Sequence, residues 1–138
     1  MDKKILLTII GSHRGVDGEN STIELITEGR LFRKDGIYYI EYEESEISGK
    51  RGTKTLISID DNMISMERSG TSTSQLFFER GKCYINNFIT PFGAMQMEIY
   101  PTRVKYDLND EEGRLDLKYQ MAIDGRTAGT NEITFLYK

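Results

Sequence analysis

The chain holds one cysteine, Cys83, so no internal disulfide can form and no cysteine pair is on hand to grip a metal ion. A reducing compartment is the simplest home for such a chain, and the expected location is cytoplasmic. Histidine is as scarce. His13 and Cys83 are each alone of their kind and fall on different strands by the pattern below, with no local signature of nucleophilic catalysis around either. No catalytic residue is assigned, and the chain is not read as an enzyme. Cys83 reads as a small, partly buried apolar side chain and His13 as a solvated polar residue. Positive charge is short too: 18 Lys and Arg against 22 Asp and Glu leave a net charge of −4. Phosphate tracks require a basic excess, so nucleic acid is a disfavoured partner. Apolar runs are brief. Ile5-Leu6-Leu7-Thr8-Ile9-Ile10 follows Lys3 and Lys4 but stops at Gly11-Ser12-His13-Arg14, short of the ~7–15 apolar residues and cleavage site of an export signal. Nothing approaches the ~20 apolar residues of a membrane-spanning helix.

What the chain does have is alternation. Its 138 residues suit one domain, 1–138, able to bury about two-thirds of its unfolded surface. Between 114 and 124, Leu115, Leu117, Tyr119, Met121 and Ile123 alternate with polar residues, Ala122 excepted. The same two-faced pattern recurs at 38–42, 55–59, 74–80, 95–99, 104–108 and 133–137, which predicts strands with one face buried and one wet. Asp17-Gly18, Asp35-Gly36 and Asp124-Gly125 supply the positive φ of tight hairpins. No connection reaches the dozen or more residues that a parallel neighbour needs, so successive strands must pair antiparallel. The fold class is all-β: an up-and-down meander of about ten strands. Closing it into a barrel removes two aggregation-prone edges, with a folded-over sandwich as the alternative. A ten-stranded barrel is wider than the eight-stranded kind that side chains just fill, so an interior cavity is expected. Gly11 and Gly29, inside the long early strands near 3–14 and 22–34, are expected to mark bends or bulges.

Both prolines lie in NNFITPFGAMQMEIYPT, residues 86–102. Pro91-Phe92-Gly93 reads as a reverse turn between strands, and Pro101 is expected to end pairing near Tyr100. The segment TPFGAMQMEI, together with MISMERSG and LFFERG upstream, resembles the YwiB-like family of small Gram-positive bacterial proteins, over essentially the whole chain. That resemblance implies a lipocalin-like, or calycin-type, β-barrel. It implies no biochemical activity and transfers no catalytic residues.

Site signatures are sparse. SGKRGTKT places Lys50, Arg51 and Lys54 among two glycines, but without Walker spacing or a following helix it reads as a basic hairpin turn. DLNDEEGR offers Asp107, Asn109 and Glu111 at alternate positions, yet its glycine is misplaced for a calcium loop and Lys118 stands where a bidentate glutamate is needed. It reads as an exposed acidic turn. The run EYEESEIS, with Glu41, Glu43, Glu44 and Glu46, reads as a solvated strand face. No metal and no cofactor is expected. The alternation gives Arg68 the face of Ile64 and Met66, and Arg80 the face of Leu76 and Phe78. An arginine facing an apolar cavity could take a ligand carboxylate bidentately, with an amphiphile's tail against Met95, Met97, Leu117, Tyr119 and Met121. The alternative for both arginines is a strand end open to water. The expected function is a small barrel binding an amphiphilic or apolar ligand inside, or else a protein–protein interaction module with a filled interior, using residues such as Tyr38, Tyr42, Phe88 or Phe92.

Overall fold

A computed structural model describes residues 2–43, 53–61, 63–69, 74–90 and 93–138. Ten strands follow one another: β1 Asp2–Arg14, β2 Asn20–Lys34, β3 Ile37–Glu43, β4 Lys54–Asp60, β5 Met63–Ser69, β6 Ser74–Phe78, β7 Tyr84–Thr90, β8 Gly93–Leu108, β9 Gly113–Ile123 and β10 Arg126–Tyr137. They form one antiparallel sheet in the order β6-β5-β4-β3-β2-β1-β10-β9-β8-β7. The first and last strands pair, from Leu7 opposite Tyr137 to Arg14 opposite Thr130. The meander has therefore wrapped on itself into a nearly closed barrel, and the interruption in its ladder falls between β6 and β7.

That seam is held by side chains. The Tyr84 hydroxyl donates to Glu79 Oε2 at 2.6 Å, and Phe77 packs against the Tyr84 ring at 5.7 Å between centroids. Tyr106, on β8, reaches the β4–β5 turn and donates to the Asp61 carbonyl at 2.7 Å. Inside, Phe78 of β6 meets Tyr119 of β9 with ring centroids 5.0 Å apart. Such contacts join the two terminal strands without a shared ladder.

Local chemistry explains the hairpins. Asp35 and Gly36, and again Asp124 and Gly125, all have positive φ, the backbone of two-residue turns whose twist matches the flanking strands. The expected bulges at Gly11 and Gly29 do not occur: the β1–β2 register runs unbroken from Asp2 opposite Phe32 to Arg14 opposite Asn20. The register shifts lie elsewhere, between Thr127 and Gly129 on β10 and between Pro101 and Arg103 on β8. Pro101 also departs from expectation. It sits buried within β8, so the runs at 95–99 and 104–108 are one strand. The ladder explains why proline is tolerated there: pairing with β7 covers only residues 93–99 of β8, so Pro101 lies beyond it, next to a bulge. The Pro91-Phe92 turn, the 44–52 segment with its basic hairpin and Glu44 and Glu46, and Gly70 lie outside the described residues.

Register assigns the faces. Ile5, Leu7, Leu31, Ile40, Ile57, Ile64, Phe78, Ile99, Leu115, Leu117 and Phe135 point inward and form one buried cluster. The outward face is wet. Arg30 pairs with Asp2 and Glu41 at 3.2 Å each, and Lys4 with Glu28 at 3.5 Å. Lys118 meets Glu132 at 3.4 Å. A barrel facing lipid needs an apolar outer band instead.

One end of the barrel is capped. We call it the lower end; it carries both termini and the β8–β9 turn, Asn109–Glu112. Asn109 Oδ1 accepts the backbone N–H of Glu111 and Glu112 at 2.8 and 2.9 Å, which shapes the turn. Three strands then hold it: Tyr137 of β10 donates to the Asn109 carbonyl at 2.6 Å, Tyr38 of β3 to Asp110 Oδ1 at 3.0 Å, and Lys3 of β1 to the Asp110 carbonyl at 2.9 Å. The acidic turn is exposed as expected, and these bonds also tie it to the lower end of the barrel.

The cap has a pH signature. Burial, joined by the nearby Tyr38 hydroxyl and the Asp110 and Asp107 carboxylates, outweighs the bond to Asn109 and pushes Tyr137 up to about 12. Burial also raises Tyr119, opposed by the charge of Arg68. A raised folded-state pKa means the unfolded chain ionises first, near the ordinary tyrosine value of about 10. Stability from these groups is complete below that pH and is lost as pH climbs through the Tyr137 value of about 12. Urea titrations at stepped pH are expected to show a falling midpoint above pH ~10, and a flat midpoint would contradict the burial of these hydroxyls.

Candidate functional site

Above the packed layer the inner face changes character. We call this end, which carries the β1–β2 turn at 15–19 and the β9–β10 turn at 124–125, the upper end. Register places Thr55 opposite both Tyr42 and Arg68, and all three point inward. Thr53 and Thr55 are fully buried. Asn86 sits opposite Met97, and Met97 opposite Ile123. Met97 and Met121 pack, partly exposed, onto the top of the core. The upper interior thus mixes flexible thioethers with hydroxyl, amide and guanidinium groups.

His13 and Asn131 face each other across β1 and β10, with His13 Nδ1 donating to Asn131 Oδ1 at 2.6 Å. Beside them lies a recess of about 180 Å³, lined by Gly11, His13, Ile23, Tyr119, Asn131 and Ile133. Ile23 faces it while 71 % exposed, which marks the recess as part of the mouth rather than the core. Tyr119 lines it as well, and the same tyrosine lies within the electrostatic reach of Arg68.

Of the residues assigned from sequence, Arg68, Met97, Tyr119 and Met121 all take inward register positions toward this end. Leu117 lies deeper, in the packed layer at 2 % exposure. Met95 shares the inner face of β8, half-buried, opposite Phe88. Arg80 does not join them. The alternation that would turn it inward ends at Phe78, because Glu79 to Lys82 closes a turn through the Lys82 N–H and the Glu79 carbonyl at 3.1 Å, and Arg80 is left exposed near the lower end. Cys83 is likewise exposed, in the same connection, rather than partly buried. His13, expected to be solvated, is half-buried in its bond to Asn131. Asn86, Thr53 and Thr55 were not assigned from sequence. Asn86 could have been found, because YINNF alternates Tyr84, Asn86 and Phe88 on one face. Among the described residues no cluster of three or more His, Cys, Asp or Glu is placed to hold a metal ion.

A family model described as "Domain of unknown function (DUF1934)" matches residues 8–135. The chain belongs to this family. A curated relative, the "Uncharacterized beta-barrel protein YwiB" of Bacillus subtilis (strain 168), is 25 % identical over 122 residues, covering 88 % of this chain and 84 % of that protein. The crystal structure of the B. subtilis ywiB protein superposes with a TM-score of 0.85 at 24 % identity, spanning 99 % of this chain and 92 % of that one. The barrel and its homology to YwiB are thereby shown. In this chain the wrap leaves Arg68, Tyr119 and Asn86 on the inner wall.

Proposed function

We propose that this DUF1934 barrel binds a small apolar or amphiphilic molecule at its upper end, as a cytoplasmic, non-enzymatic binding protein. One observation carries the reading: Tyr119 forms the boundary between a fully packed lower interior and a mouth with its own recess of about 180 Å³. Ligand sites are concave and largely apolar, with a few placed polar groups, and the recess offers Ile23 and Ile133 beside Tyr119, His13 and Asn131, with Met97 and Met121 at inward positions of neighbouring strands. Methionines at the rim supply contacts that adapt to a guest. The lone thiol of Cys83 supports a reducing compartment. The lipocalin-like, or calycin, kinship that the sequence resemblance implies is supported by the up-and-down order and by the pairing of first and last strands.

Titration of 1-octanol monitored by calorimetry tests the reading. Met121→Trp, which fills the mouth while leaving the buried layer untouched, is expected to weaken binding at least about tenfold. Undetectable binding of both 1-octanol and octanoate by the parent chain would overturn it. A second reading, an interaction module, is favoured by the outward Leu6 and Ile26, 46 % and 60 % exposed on neighbouring strands. It requires a partner protein and no guest inside.

A further inference from the structure

Resting on the binding reading above, we infer that Gly11 opens a notch for the apolar end of the guest, and that the ligand class is a short amphiphile, with about six carbons beside its polar head, rather than a long-chain lipid.

The first ground is a glycine without a structural cause. Glycine weakens the interior of a strand, and it is kept there where φ is positive, where the register shifts or where another part of the molecule comes too close for a side chain. Gly29, Gly113 and Gly129 show such causes. A Cβ at Gly29 would stand 3.0 Å from the Glu41 carbonyl, one at Gly113 would run into the Tyr137 ring, and Gly129 has its positive φ beside a bulge. Gly11 has none of these. Its φ is not positive, its ladders to β2 and β10 run past it in unbroken register, and an added Cβ would meet nothing within 4 Å. What the glycine provides is the space itself.

The second ground is what surrounds that space. Gly11 lies opposite Ile23 on β2 and opposite Ile133 on β10, and all three line the recess of about 180 Å³. One inward position below, Ile9 stands between Leu25 and Phe135, and Phe135 is 1 % exposed, so the packed layer begins there. One inward position above, the ladders align Ser21, His13, Asn131 and Tyr119 across four strands, and each of these also lines the recess. An apolar notch lies beneath a polar row. The guest therefore enters apolar end first, toward Ile23 and Ile133, and its head stays level with side chains that can donate and accept hydrogen bonds.

The third ground is size. An apolar cavity of about 150 Å³ takes one benzene ring, so the recess of about 180 Å³ holds about six carbons and a single polar group. Further methylenes have no room below. They stand in the mouth and bury little.

Calorimetric titrations of the full chain with 1-butanol, 1-hexanol and 1-octanol test the inference. Each methylene buried in the notch adds about fourfold in affinity, so hexanol is expected to bind at least about tenfold more tightly than butanol, and octanol within about threefold of hexanol. Gly11→Val fills the notch. It is expected to weaken hexanol binding at least about tenfold while leaving the urea midpoint at or above that of the parent, because the strand gains a side chain at no steric cost. Gly11→Ala, a smaller plug, is expected to lower hexanol affinity about threefold, and it carries the test if the valine variant does not fold. Unchanged hexanol affinity in the folded variants would overturn the notch and leave the binding reading standing. A gain from hexanol to octanol as steep as that from butanol to hexanol would overturn the short guest. A lowered urea midpoint in both variants would assign the glycine to the backbone and overturn the inference as well. Failure of the parent chain to bind any of the alcohols or octanoate would overturn the binding reading itself.

Discussion

Phe135→Ala is expected to destabilise the barrel by about 3–5 kcal/mol. Phe135 is 1 % exposed near the C-terminal end of β10, between Ile9 of β1 and Leu115 of β9, and its ring meets Tyr42 from β3 at 6.5 Å between centroids. It therefore joins the closing strand pair to the opposite wall. Truncation removes the ring's burial and leaves a cavity that a ladder-bonded wall cannot collapse to fill. Against a total stability of about 5–15 kcal/mol for a domain of this kind, the loss is a large fraction. Urea denaturation should report it as a lower midpoint at unchanged slope. A shift under about 1 kcal/mol would mean that the interior is loosely packed at this level.

Gly129→Val is expected to cost at least about 3 kcal/mol, for a reason unrelated to burial of apolar area. Gly129 follows the β10 bulge with φ of 121°, a conformation side-chain-bearing residues rarely adopt. A Cβ there would overlap the backbone carbonyl of Arg14 and come within 3.1 Å of His13 Cε1. Backbone cannot step aside as a flexible side chain can. The substitution thus pries β10 from β1, the pair that closes the barrel, and disturbs the His13–Asn131 bond beside the mouth. Gly11→Ala is the matching control. Nothing lies within 4 Å of its added Cβ and its φ is ordinary, so it should fall within about 1 kcal/mol of the parent. Equal losses at the two glycines would contradict the assigned bulge.

Those two glycines also show what a sequence can carry. Period-two alternation specified the strand faces, because burial on one side of a pleated ribbon is a local property repeated every second residue. Leu115, Leu117, Tyr119 and Met121 were placed correctly on that ground alone, as were Asp35-Gly36 and Asp124-Gly125, whose turn chemistry is local. Bulges are not local in this sense. Gly129 needs its φ because Arg14, more than a hundred residues away, approaches it, whereas Gly11 and Gly29 sit in unbroken register. The same limit governed Pro101, tolerated within β8 because the β7 ladder ends before it. The site was legible in part. Alternation turned Arg68 inward but overran the strand at Arg80, where the Glu79–Lys82 turn interrupts it. Nothing in the order of residues announced that Asn109 and Asp110 would be gripped by Tyr137, Tyr38 and Lys3, contacts that exist only after the barrel has closed. The position of the seam is likewise a property of the finished wrap.

The central claim is that the barrel is solid below and receptive above. Methionine methyl groups report on both levels: Met97 and Met121 sit at the mouth, while Met63 lies at the lower end, 3.7 Å from the Tyr84 hydroxyl through its sulfur. With methyl-labelled methionine, a titration of octanoate into the protein should move the Met97 and Met121 resonances together and saturably, leaving Met63 in place. Movement of Met63 with Met121 unmoved, or no movement at either mouth methionine, would contradict the account.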